Sequence, residues 1–187
     1  MSKSDKWKSG VLKSCVAVMA MAAGLSFAQT PLERGKYLVE GVAACGNCHS
    51  QRDAKGQVIA ARGLSGGMVF DTPGFKAYAS NITPDPDTGI GKWTDAQLGK
   101  AIREGVRPDG SHIGPPMPIE FLKEVSDSDL AAIIAYLRAQ PAVKNAVPKS
   151  VYKFPLPPSH AVANVPTPPR SDAVKYGGYL VAMGHCM

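Results

Sequence analysis

Five consecutive residues constrain this chain more than any others: Cys45-Gly46-Asn47-Cys48-His49, at the end of an apolar-striped segment. Two thiols and an imidazole this close together can hold a zinc ion, form a redox disulfide or carry a covalently attached haem. Each use asks for different surroundings. A structural zinc site needs about four ligands, and the other candidates in this sequence, His112 and His160, stand alone. A thioredoxin-like pair expects a strand before it, whereas a helical pattern leads into Cys45.

The start of the chain decides how the cysteines are read. Lys3, Lys6, Lys8 and Lys13 precede an uncharged run from Cys15 to Phe27, and Ser26-Phe27-Ala28 offers small residues at a cleavage position. This pattern predicts a secretory signal over residues 1–28, cut after Ala28. The run is too short for a comfortable membrane span of roughly 20 residues. Without the four Lys and one Asp of the signal, the formal charge falls from +6 to +3. No basic run interleaved with aromatics follows, which argues against nucleic acid as partner. The remaining cysteines, Cys45, Cys48 and Cys186, are an odd set and a poor disulfide framework. In a secreted chain the motif is therefore best read as a c-type haem attachment site, with zinc and redox thiol as the alternatives. Cys45 and Cys48 would carry the thioether bonds and His49 would be the proximal iron ligand.

The opposite ligand sets what a haem can do. Met117 lies in Gly114-Pro115-Pro116-Met117-Pro118, where the prolines hold the backbone extended and present the thioether. A soft sulfur opposite histidine raises the potential and fills the sixth position, which favours electron transfer over oxygen chemistry. Met68, in Gly66-Gly67-Met68-Val69, is the rival, and His112 would give a bis-imidazole site. Most methionines simply pack in cores, and that is the plain alternative for Met117.

Along the chain, Thr30-Pro31-Leu32-Glu33 reads as a capping box opening a helix that runs into Cys45, with Leu32, Leu38, Val39 and Val42 as its apolar stripe. Residues 51–86 are rich in turn residues and read as a long loop. Thr94-Asp95-Ala96-Gln97 is a second capping box, opening a helix with Leu98, Ala101 and Ile102 at helical spacing that stops at Gly105. Ser126-Asp127-Ser128-Asp129 is a third box, with Asp in place of Glu, and opens a helix with Leu130, Ile133, Ile134 and Leu137 on one face. Tyr37 and Tyr136 are expected where the first and last helices of this module cross, with Gly35 allowing close approach. From Pro141 to Arg170 there are eight prolines, a composition that predicts an extended, semi-rigid strap. Beyond it, Gly177-Gly178-Tyr179-Leu180-Val181 repeats Gly35-Lys36-Tyr37-Leu38-Val39, and Cys186 follows as Cys45 does, one residue closer.

The stretches "GKYLVEGVAACGNCHS", "SNITPDPDTGIGKWTDAQLGKAIREGVRPDG" and "PPMPIEFLKEVSDSDLAAIIAYLRAQP" resemble the first haem domain of multihaem cytochrome c subunits that serve membrane-associated bacterial dehydrogenases. The resemblance implies an all-α, class I cytochrome c-like domain with long loops over residues 29–140, a Pro-rich linker over 141–172, and the incomplete start of a second such domain over 173–187. It implies one haem c on Cys45 and Cys48 with His49 and Met117 as axial ligands, and a periplasmic location, with association to the membrane through the complex. It also implies a partner dehydrogenase as electron donor and a quinone or another cytochrome as acceptor. The chain itself would not act on a substrate. The alternative is a haem enzyme or gas sensor whose sixth ligand is displaceable.

Smaller expectations complete the reading. Trp93, Asn81, Arg62 and Arg107 are candidates for holding haem propionates, each more simply a loop or core residue. His160 is solvated in the strap. The helix around Tyr179, Leu180 and Met183 lacks partners of its own, and an isolated helix of that length is marginal, so residues 173–187 are expected to be disordered, with Cys186 a lone thiol.

Overall fold

The computed structural model describes residues 29–186; the signal assigned to residues 1–28 lies outside them. Helix α1 spans Pro31–Lys36 and is opened by the full capping box: Thr30 Oγ1 accepts from the Glu33 amide while the Glu33 carboxylate accepts from the Thr30 amide. The chain continues from Tyr37 to Val42 as π-helix. Ala44 takes a positive φ of 46°, which breaks the helix before α2, Gly46–His49. The unbroken helix expected into Cys45 is thus two helices with a kink, and the kink re-aims the Cys-His turn.

Helix α3, Asp95–Arg103, has its complete box from Thr94 and Gln97, and the chain reverses at Gly105. Helix α4 is the single turn Ile119–Leu122 and α5 spans Asp127–Arg138. The box expected at α5 forms only halfway. Ser126 accepts from the Asp129 amide, but the Asp129 carboxylate is taken by Arg34 at 2.7 and 2.8 Å. Burial of that carboxylate makes a bidentate guanidinium a better partner than an amide at the helix mouth.

Helices α1 and α5 cross at Gly35, whose Cα faces the Ala132 carbonyl and the Tyr136 Cβ. Tyr136 lies in this crossing as expected, but Tyr37 does not: it is 45% exposed and lies under the Arg34 guanidinium. The core gathers Leu38 and Val39, Leu98, Leu122 and Val125, and Ile133, Ile134 and Leu137.

The architecture is mainly helical but not all-α. Strands β1, Val69–Asp71, and β2, Phe75–Tyr78, form a hairpin, and β3, Val151–Tyr152, adds to β2, all antiparallel. The hairpin closes at Thr72, whose amide donates to the Phe75 carbonyl and whose hydroxyl accepts from the Phe75 amide. The short runs Val-Phe-Asp and Phe-Lys-Ala-Tyr sit inside turn-rich sequence, so their strand character is masked.

The proline-rich stretch does not hang free. Asn81 donates to the Val143 carbonyl, Asn145 to the Ser65 carbonyl, the Val162 amide to Glu104 and the Asp127 amide to the Val165 carbonyl. Prolines lock φ and stiffen the stretch, so a few bonds suffice to lay it over the surface.

Residues 173–183 form α6, Ala173–Met183, and the expectation of disorder is overturned. Met183 is 1% exposed, and the Tyr179 hydroxyl donates to Asp129 Oδ2 at 2.7 Å while accepting from the Ser126 amide. The partners missing from the local sequence are α4, the α5 N-terminus and the Tyr37–Val42 turns. His185 stacks on Phe121 at 5.6 Å between ring centroids, and Cys186 is exposed.

Candidate functional site

Cys45 caps α2 and Cys48 lies in its single turn, and both thiols are free. Burial pushes the Cys45 thiol up to about 11. Burial also raises Cys48, with Arg52 opposing. At neutral pH both are therefore protonated, unlike the depressed thiolates of redox pairs. Among the described residues no three His, Cys, Asp or Glu side chains converge where they could hold a metal ion.

His49 is the best-fixed member of the set. Its Nδ1 lies 2.7 Å from the Ser80 carbonyl oxygen. A carbonyl can only accept, so Nδ1 carries the proton and Nε2 keeps its lone pair for a metal. Burial lowers the imidazole below its ordinary range, which keeps the ring neutral.

The Ser80 carbonyl is itself held by a backbone cradle. The Gly66 amide donates to the His49 carbonyl at 2.7 Å, Gly67 to Ala79 at 2.8 Å and Ile82 to Leu64 at 3.1 Å. Gly66 has φ of +75°, and a Cβ there would stand 2.4 Å from the Ala79 oxygen. Only glycine fits that cradle. The sequence offered no signal for Ser80 beyond its place before Asn81, because the contact is made by its backbone.

Met117 and Cys45 pack against the same apolar cluster, together with the half-buried Leu64, Ile82, Trp93 and Ile102. Met68 is also half-buried, and its carbonyl is taken by the Ala79 amide. His112 lies away on the strap side, Nδ1 3.2 Å from the Pro157 carbonyl. Two free thiols, an imidazole with Nε2 spare and a wall of half-buried apolar side chains fit a large apolar macrocycle fixed by thioethers.

Of the propionate candidates, Asn81 is saturated. Its Nδ2 donates to Thr88 and Val143, and its Oδ1 accepts from the Thr83 amide and hydroxyl. Arg62 donates to Gln51 and Arg107 to the His112 carbonyl. Trp93 lines the apolar wall, and its carbonyl accepts from Arg138. Asn81, Arg62 and Arg107 thus brace loops here.

A model of the cytochrome c family matches residues 32–141, from α1 past the end of α5. The chain belongs to the cytochrome c family. Haem c, covalently bound, is the cofactor of that family and electron transfer its chemistry. Among curated proteins, this cytochrome c is 35% identical over 173 residues to a nicotinate dehydrogenase subunit of Pseudomonas putida, covering 86% of this chain and 14% of that one. It is 29% identical over 191 residues to the cytochrome c subunit of the quinone alcohol dehydrogenase of Komagataeibacter europaeus, covering 91% and 39%. It is 36% identical over 126 residues to the fructose dehydrogenase cytochrome subunit of Gluconobacter japonicus, covering 66% and 24%. The chain spans well under half the length of these relatives. All three are components of dehydrogenases, the latter two their cytochrome subunits.

Proposed function

We propose that this cytochrome c takes electrons from a partner dehydrogenase subunit and passes them to quinone or another cytochrome, with His49 and Met117 as the two axial ligands. The observation that carries the reading is the Nδ1 contact of His49 with the Ser80 carbonyl, which leaves the lone pair of Nε2 free for iron. Bound haem c supplies a one-electron iron couple. Cys45 and Cys48 would anchor the ring, and the half-buried Leu64, Ile82, Trp93 and Ile102, packed on the same cluster as Cys45 and Met117, would help exclude water from it. Met117 would supply the thioether ligand.

The lysine-rich start followed by an apolar run supports secretion to the periplasm. No helix among the described residues is long and apolar enough to cross a membrane; association with the membrane through the complex is part of the proposal. The repeat of the Gly-x-Tyr-Leu-Val pattern in α6 supports residues 173–187 as the start of a second, similar module. The substrate oxidised would bind the partner.

The test is the visible spectrum of holoprotein from a host able to attach haem c, oxidised, reduced, and reduced under carbon monoxide, beside Met117→Ala. The expected result is one haem per chain, a thioether-to-iron band absent from the variant, and no response of the wild type to carbon monoxide. Ready carbon monoxide binding by the wild type would instead mark a haem enzyme or sensor, and a colourless protein would return the motif to zinc or thiol chemistry.

A further inference from the structure

Residues 150–157, Ser-Val-Tyr-Lys-Phe-Pro-Leu-Pro, cross two loops at once. On one side β3 pairs with β2 in the register Phe75 to Tyr152 and Lys76 to Val151. The Tyr78 amide donates to Ser150 Oγ at 3.0 Å and the Lys153 amide to the Gly74 carbonyl at 2.9 Å. Strand β2 leads directly into Ala79 and Ser80, the residues behind His49.

On the other side the Tyr152 hydroxyl donates to the Pro115 carbonyl at 3.0 Å, two residues before Met117. The Tyr152 ring and Leu156 close over Gly114, where a Cβ would stand 2.7 and 2.5 Å from them. His112 adds its contact with the Pro157 carbonyl. The Tyr152 ring is braced in turn by Phe75 and Phe154, with centroids 5.7 and 5.9 Å away.

The Met117 turn needs such help. Pro115, Pro116 and Pro118 have no N–H to donate; within the turn the backbone bonds are Met117 to Gly114 at 3.3 Å and Ile119 to Met117 at 3.0 Å, and the Pro118 carbonyl beyond it accepts from Phe121 and Leu122 of α4. A turn this poor in internal bonds is held by what packs on it.

We propose that Tyr152 is a positioning residue for the Met117 thioether, and that residues 150–157 are a clasp tying the Met117 turn to the sheet that backs His49. The proposal rests on Met117 being the sixth ligand. The proline-rich stretch then has a role in the redox site itself: it sets how readily the thioether leaves.

The test uses the full-chain holoprotein with Tyr152→Phe, Tyr136→Phe and Met117→Ala. Tyr152→Phe keeps the ring and deletes the donor; loss of one net hydrogen bond should make the thioether about two- to tenfold more readily displaced by carbon monoxide in the reduced protein. The thioether-to-iron band should weaken and the reduction potential fall. Tyr136→Phe deletes a hydroxyl bonded to Glu40 in the α1/α5 crossing, so it should lower thermal stability while leaving carbon monoxide binding and the band unchanged. Should Tyr152→Phe yield no holoprotein, His112→Ala removes the clasp's other side-chain hydrogen bond on the Met117 side, and it should shift carbon monoxide binding in the same direction. Wild-type carbon monoxide binding and band in the clasp variants, with Met117→Ala defective, would overturn the clasp. So would equal effects from Tyr152→Phe and Tyr136→Phe. An unaltered band in Met117→Ala would instead overturn the ligand assignment, and the clasp with it.

Discussion

Gly35 meets the Ala132 carbonyl so closely that a Cβ on it would stand 2.0 Å from the oxygen. Neither helix can give way without moving the core between them. Gly35→Ala is expected to destabilise the fold by roughly 3 kcal/mol, the upper end of overpacking costs, read as a lower denaturant midpoint with the slope unchanged. An unchanged midpoint would show that α1 and α5 slide apart without cost.

Arg34 and Asp129 form the buried ion pair beside that crossing, their side chains 10% and 5% exposed. Asp129→Asn leaves the guanidinium without its counter-charge and is expected to cost about 3–5 kcal/mol. Burial alone would raise the Asp129 carboxyl, but the Arg34 guanidinium and the Tyr179 hydroxyl together hold it below the usual carboxylate range. A depressed folded value means the stabilisation is complete above the unfolded carboxyl pKa of about 4 and is lost as pH falls through the lower folded value. Acid unfolding of the wild type should therefore steepen below about pH 4, and Asp129→Asn should flatten that limb.

Tyr179 ties α6 to the same carboxylate. Tyr179→Phe should lower stability by about 1.5 kcal/mol, a hydrogen bond to a charged group. It should also speed amide exchange across Ala173–Met183 more than in α5. Uniform exchange changes across both helices would mean that α6 is not a separately docked unit.

The cradle behind His49 depends on Gly66. Gly66→Ala adds a side chain at φ +75° against the Ala79 carbonyl and should displace the loop that carries the Ser80 carbonyl. The expected outcome is a shifted reduction potential with haem still attached, because both thiols are untouched. An unshifted potential would show that the Ser80 contact does not tune the imidazole.

Much of this was legible locally. The boxes at Thr30 and Thr94 are four-residue signals that form as written. The apolar periodicities found Leu38, Val39, Leu98, Ile133, Ile134 and Leu137, all buried, and the half-buried Val42 and Leu130, but Leu32, placed on the same stripe, is 48% exposed at the start of α1. The box at Ser126 formed only by half because the Asp129 carboxylate had a distant claimant, Arg34, 95 residues away. The hairpin Val69–Tyr78 was hidden because its strands are short and flanked by turn residues, and pairing with β3 depends on residues far along the chain, Val151 and Tyr152.

What the sequence determined by itself is the chemistry: Cys45, Cys48 and His49 stand in a spacing that short-range geometry alone brings to one turn. The family resemblance, too, is carried by contiguous stretches. What only the tertiary structure decided is how that chemistry is held. The Ser80 carbonyl behind His49, the Tyr152 hydroxyl on the Met117 turn and the docking of α6 on Asp129 are backbone or long-range contacts. They depend on which distant surfaces exclude water together, and no window of local sequence encodes that.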